Sequence, residues 1–154
     1  MAVDQAHTGF GAIISKDDGF GNFIPVLGVK SISGPSMSRE IHDTTDMNNP
    51  SNYRTKIGGL VDGGELTFEA NWLPRAPGQN QDEGGLWAEF DKSSCASLGS
   101  WRVDIPDCPG EPAAYILLDG IFSGMGAEIP MDDIMSFQGT ITVSGRPELV
   151  IEES

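Results

Sequence analysis

The sequence predicts an all-β protein, a β-sandwich or barrel-like set of antiparallel sheets with one short flanking α-helix and a long inter-strand loop. Three observations predict it. Twenty Gly and ten Pro are spread through 154 residues, setting turns between short apolar runs. Two segments alternate strictly between apolar and polar residues, as half-buried antiparallel strands do. Only one stretch carries helical spacing. The length fits a single domain over residues 1–154, with enough chain to bury a core.

The elements follow in order. Phe10, Ala12 and Ile14 alternate toward the turn residues Lys16-Asp17-Asp18-Gly19, a hairpin signal. The return strand, Asn22 to Ile32, is apolar on both faces for part of its length and reads as central, whereas Pro25 argues for an edge or a bulge. It ends at Ser33-Gly34-Pro35. A polar arm follows over residues 37–58, and the next strand starts near Leu60, with Leu66, Phe68, Ala70 and Trp72 on one face and Glu65, Thr67, Glu69 and Asn71 on the other.

Pro74 to Gln81 reads as a loop, and Asp82-Glu83 suit the start of a short helix whose Leu86, Trp87 and Phe90 share a face and plug one end of the fold. Trp101, Val103 and Ile105 mark a strand ending at Pro106. Ala114 to Phe122 is broadly apolar, with Gly120, Gly124 and Gly126 predicting bends or bulges, and Glu128 to Asp133 turns the chain. Met135, Phe137, Gly139, Ile141 and Val143 then alternate with Ser136, Gln138, Thr140, Thr142 and Ser144. Residues 146–154 read as a loose or partner-bound tail.

Composition excludes several functions. Twenty-three acidic against nine basic residues leave a formal charge of −14, with no basic stripe to hold a phosphate backbone. Acidity of this kind also serves plain solubility. Cys95, Cys108, His7 and His42 lack zinc-finger spacing, and Asp17-Asp18-Gly19 lacks the alternating ligands of a calcium loop, so no metal and no cofactor is expected. The longest apolar run, Ala113 to Leu118, is far short of the ~20 residues a membrane span needs, and the N-terminus has Asp4 and His7 where a secretory leader has basic residues.

Catalytic pairings are equally poor. Asp17-Asp18 and Asp132-Asp133 sit in turns, His42-Asp43 has no nucleophile motif beside it, and the Gly pairs lack a phosphate-loop Lys, so no enzymatic role is expected.

The arm is the unusual stretch, because loops of this length inside a compact domain are commonly functional. Arg39, Arg54 and Lys56 stand in it beside Glu40, Asp43 and Asp46, with Ile41, Met47 and Tyr53 among them. Mixed charge with apolar anchors is the composition of a docking surface.

At these residues the sequence resembles a family. Val29–Pro35 (VKSISGP), Arg39–Thr45 (REIHDTT) and Gly59–Glu65 (GLVDGGE) with the strand through Asn71 are similar, in order and spacing, to the major tail tube proteins of long-tailed bacteriophages and related particles. His42 and the Pro74–Gln81 loop depart from the pattern. The resemblance implies a structural subunit whose own copies form hexameric rings stacked into a hollow tail tube, built in the host cytoplasm and carried in the virion. It implies the tape measure, tail terminator and baseplate or tail-tip proteins as partners, and DNA as a passing cargo. Arg39, Glu40, Ile41, Asp43, Asp46, Met47, Tyr53, Arg54 and Lys56 then become the inter-ring contact, and Glu65, Thr67, Glu69 and Asn71 the lumen face. Six copies at −14 each carry −84 per ring, a wall that repels DNA. Two other readings are a tube subunit of a contractile injection or secretion system and, from a different class, a carbohydrate-binding β-sandwich using Trp72, Trp87 and Trp101.

Overall fold

Nine strands and one helix form in the computed structural model, which describes residues 10–17, 22–73, 75, 86–90, 98–106 and 114–151. They are β1 (Ile13–Asp17), β2 (Phe23–Pro25), β3 (Val29–Ser33), β4 (Ser38–Asp43), β5 (Lys56–Asp62), β6 (Glu65–Asn71), α1 (Leu86–Phe90), β7 (Leu98–Ile105), β8 (Ala114–Glu128) and β9 (Ser136–Ile151). Seven strands make one antiparallel sheet in the order β2-β1-β7-β8-β9-β6-β3, and β4 pairs with β5 alone.

The sheet is curled. A flat seven-stranded sheet is roughly 29 Å wide, yet β2 and β3 occupy its opposite edges and are joined by only Val26, Leu27 and Gly28. Four Cα steps reach at most about 15 Å, so the edges must come round to meet. Val26 N–H donates to the Ile14 carbonyl at 2.9 Å and Asn71 N–H to the Gly28 carbonyl at 2.8 Å, one bond at each edge. The expected central strand from Asn22 to Ile32 is therefore two edge strands and a crossing. Pro25 is explained by this, since an edge strand spares one row of donors.

Inside the curl lie Leu66, Phe68, Ala70, Trp101, Val103, Leu118, Phe122, Phe137, Ile141 and Val143. These are the faces that alternation predicted on β6, β7 and β9. Phe68 and Phe122 stack at 6.3 Å between centroids, and Trp101 tilts onto Phe122 at 5.7 Å. Glycine makes this possible at two points: a Cβ on Gly139 would stand 2.5 Å from Phe68 Cζ, and one on Gly120 2.6 Å from Ile141 Cγ2. Of the bends expected at Gly120, Gly124 and Gly126, one falls at the Phe122/Gly124 register shift against β9; the other shift lies at Leu117/Asp119, and Gly120 and Gly126 pair in register.

α1 closes the structure beside β1, with Leu86 buried. Its second inward residue is Glu89, whose carboxylate meets Lys16 Nζ at 2.7 Å with both side chains almost wholly buried. Trp87 is exposed and does not share the buried face as expected. The Pro74–Gln81 loop apart from Arg75, the helix-start residues and both cysteines lie outside the described residues.

Two further expectations are corrected. Residues 146–151 are not a loose tail: β9 runs to Ile151, pairing Glu148–Ile151 with Leu117–Ala114. Pro147, which cannot donate to a ladder, falls in the stretch skipped by the Leu117/Asp119 register shift, so it interrupts nothing. Nor is 37–58 a loop. Its two ends pair as the β4–β5 hairpin, with residues 44–55 as the tip, a pairing that the Gly58-Gly59 pair disguises in the sequence.

Candidate assembly surfaces

The hairpin leaves and rejoins the curled sheet through a narrow base. Ser36 N–H donates to the Glu65 carbonyl at 3.2 Å, and Val143 N–H to the Gly64 carbonyl at 2.9 Å. Asp62 Oδ1 accepts the Gly64 N–H at 2.8 Å. Gly34 (φ 109°) and Gly64 (φ 71°) take left-handed backbone, and a Cβ on Gly64 would run into the Ser36 carbonyl. The S-G-P and D-G-G-E segments are thus the two halves of one joint.

Beyond the joint the arm has no core of its own. Every residue of β4 is exposed, and in β5 only Gly59 is partly covered. Met37, Ile41, Met47, Tyr53, Ile57, Leu60 and Val61 all present apolar side chains to solvent. An isolated two-stranded hairpin is marginal in water, and an apolar patch of this extent marks a binding surface. Gly58 and Gly59 let side chains of β4 lie flat across β5. Arg39 Nη1 reaches the Gly59 carbonyl at 3.1 Å, and a Cβ on Gly59 would stand 2.8 Å from His42 Nε2.

The tip between the strands is built from successive side-chain turns. Asp43 Oδ1 accepts from Thr45 N–H at 2.9 Å, Asp46 Oδ1 from Asn48 N–H at 3.2 Å and Asn49 Oδ1 from Ser51 N–H at 3.1 Å. Asn49 Nδ2 closes the turn onto the Tyr53 carbonyl at 2.8 Å, and Thr45 Oγ1 accepts from Thr55 N–H at 2.8 Å. Asp43 also faces Arg54 at 3.6 Å. The Thr45 hydroxyl, then the Thr45 N–H, and more weakly the Lys56 charge hold the Asp43 carboxyl below the usual aspartate range.

All nine residues expected in the contact, Arg39, Glu40, Ile41, Asp43, Asp46, Met47, Tyr53, Arg54 and Lys56, lie on this hairpin and are exposed. The sequence reading did not name Ile57, Leu60 and Val61 as contact residues, placing Ile57 within the polar arm and Leu60 and Val61 at the start of the next strand. Their apolar run without period-two alternation was the available signal. It also missed the groove between Leu60–Gly63 on the hairpin and Arg146–Val150 on β9.

The second surface is the outer face of the sheet. Glu65, Thr67, Glu69 and Asn71 share it, opposite Thr142, Thr140, Gln138 and Ser136 of β9. Ser123 and Thr142 hydroxyls meet at 2.7 Å, and Ser100 donates to Asp119 at 3.0 Å. Lys30 Nζ stands 4.0 Å from Glu69, so Glu65 is the less compensated of the two acids on β6. Among the described residues no cluster of three or more His, Cys, Asp or Glu could hold a metal ion, and no helix is long and apolar enough to cross a membrane.

Residues 7–150 match the family model described as lambda phage tail tube protein. The chain belongs to that family. Its fold is shared with the tail of an empty gene transfer agent particle solved with C6 symmetry, at 16% identity over 94% of this chain and 99% of that one, TM-score 0.70. The anti-feeding prophage baseplate contains a similar chain, at 8% identity over 96% and 97%, TM-score 0.70. The SPP1 tail tube protein is similar at 10% identity over 93% and 77%, TM-score 0.62. No curated protein matches the sequence. A tail tube protein is a structural subunit, and the site to explain is therefore an interface between copies.

Proposed function

We propose that this tail tube subunit assembles into hexameric rings stacked as a hollow tube, with the β4–β5 arm joining one ring to the next and the outer sheet face lining the channel. The exposed hairpin carries the reading: among the described residues its apolar side chains stay open to solvent, and its fixed joint presents them outward. Six-fold rings are supported by the symmetry of the similar gene transfer agent tail. The role is mechanical and non-catalytic. Glu65, Thr67, Glu69 and Asn71 give the channel a hydroxyl-rich, acidic wall over which DNA passes without adhering. The tape measure, the terminator and the baseplate or tail-tip proteins meet the tube inside and at its ends, and assembly takes place in the host cytoplasm.

The second reading, a tube subunit of a contractile injection or secretion system, is compatible with a fold that a chain of the anti-feeding prophage baseplate shares; the family match favours the long-tailed class. A sugar-stacking platform is disfavoured, because Trp101 is buried and Trp72 packs against the core.

Replacing Ser38–Asp62 by a two-glycine linker tests the arm, since the Ser36–Glu65 bond already brings the cut ends together. Negative-stain microscopy of the intact protein at high concentration should show rings or tubes, whereas the shortened chain should stay monomeric with an unchanged β-type circular dichroism spectrum. An intact protein that remains monomeric at all concentrations contradicts the proposal. So do tubes made by the shortened chain, or its failure to fold.

A further inference from the structure

We infer that the arm of one copy seats on the β8–β9 turn, residues 129–135, of a second copy in the next ring. The inference rests on the reading of the arm as the ring-to-ring contact and names the surface that receives it. Strand register puts the two features at opposite ends of the subunit. β6 pairs with β9 from Asn71–Ser136 to Glu65–Thr142, so the turn lies beyond Ser136 while the arm's joint lies at Thr142–Val143. The groove between Leu60–Gly63 and Arg146–Val150 shows that the arm continues along the far half of β9, away from the turn.

The turn resembles the arm in being apolar and outward. Ile129, Met131 and Ile134 are all exposed, Met131 by 98%. Its backbone is nonetheless held, because Trp72 N–H donates to the Met135 carbonyl at 2.9 Å and Asp133 Oδ1 accepts the Ile134 N–H at 2.7 Å. Glu128, Asp132 and Asp133 rim it with negative charge. The arm tip offers the counterpart in Met47 and Tyr53, exposed by 103% and 82%, with Arg54 and Lys56 beside them. The fit is apolar centre to apolar centre, the acids of the turn meeting Arg54 and Lys56 on a tip that also carries Asp43, 3.6 Å from Arg54, and Asp46. A contact between different surfaces on identical copies does not close on itself when they lie at opposite ends. It propagates as an open stack.

Met131→Asp with Ile134→Asp should leave a folded monomer, since both side chains are exposed, and raise the concentration needed for tubes by at least about tenfold. Arg54→Glu with Lys56→Glu should do the same, and adding Glu128→Lys with Asp132→Lys should restore tubes. As a test independent of stability, Met47→Cys and Met131→Cys in a chain with Cys95→Ser and Cys108→Ser should give a covalent ladder when assembled tubes are oxidised. Tubes of the turn variant at the wild-type concentration, no rescue by the charge exchange, or oxidised tubes without a ladder would overturn the inference. If the arm-shortened chain still assembles, the ring-contact reading itself fails. If that chain stays monomeric while the turn variant assembles normally, only the seat is wrong.

Discussion

Asp43 shows how much of the arm tip rests on single side chains. Its carboxylate is held low by the Thr45 hydroxyl and N–H and by Lys56. A folded-state value below the unfolded one near 3.9 means that this contribution is complete above about pH 4 and is lost as pH falls through the folded value. The Thr45 amide resonance should therefore titrate with a midpoint below that of an unstructured aspartate, and Asp43→Asn should abolish the titration. A midpoint at or above the ordinary value would show that the turn does not form in solution. The turn chemistry of Asp43, Asp46 and Asn49 was legible in the sequence as polar loop composition. Which donors those oxygens accept from was not, because that depends on Thr45 and Thr55 meeting across the hairpin.

At the level of elements, α1 is held by charge as well as by Leu86. The Lys16–Glu89 contact is buried on both sides, and removing one partner of such a pair commonly costs about 3–5 kcal/mol, while replacing both by apolar groups costs far less. In urea denaturation Lys16→Met should lose stability on that scale, and Lys16→Met with Glu89→Leu should recover much of it. Additive losses would mean that the two side chains do not act as a pair. The sequence placed a short helix here with Leu86, Trp87 and Phe90 on its inward face, of which Leu86 is buried and Trp87 is not, and it left out Glu89, since nothing in local spacing reveals a lysine on a distant strand. In the same way β6 and β9 were legible from alternation, whereas β5 was merged with β6. A strand that pairs with β4 and is exposed on both faces among the described residues carries no period-two signal.

For the whole molecule, the curl of the sheet sets one face inward and leaves Glu65, Thr67, Glu69 and Asn71 on the other. If that face lines the channel, tubes of Glu65→Lys with Glu69→Lys should retain short duplex DNA in co-sedimentation at low salt and release it as salt rises, while wild-type tubes retain none. Equal retention by both would place these acids away from the channel. Glu65 should dominate, since Lys30 already offsets Glu69.

By itself the sequence determined the all-β class, the buried faces of β6, β7 and β9, the glycine joints of the arm and the acidity, because each is written in residues adjacent in the chain or two apart. The tertiary structure alone decided that β2 and β3 sit at opposite edges brought together by curling, that residues 146–151 complete β8, and that the arm is a hairpin facing away from the 129–135 turn. Each of these depends on which strand lies beside which. A local pattern reports that a face is apolar, but its partner is chosen by closure of the sheet over residues as far apart in the chain as Ile13 and Asp104.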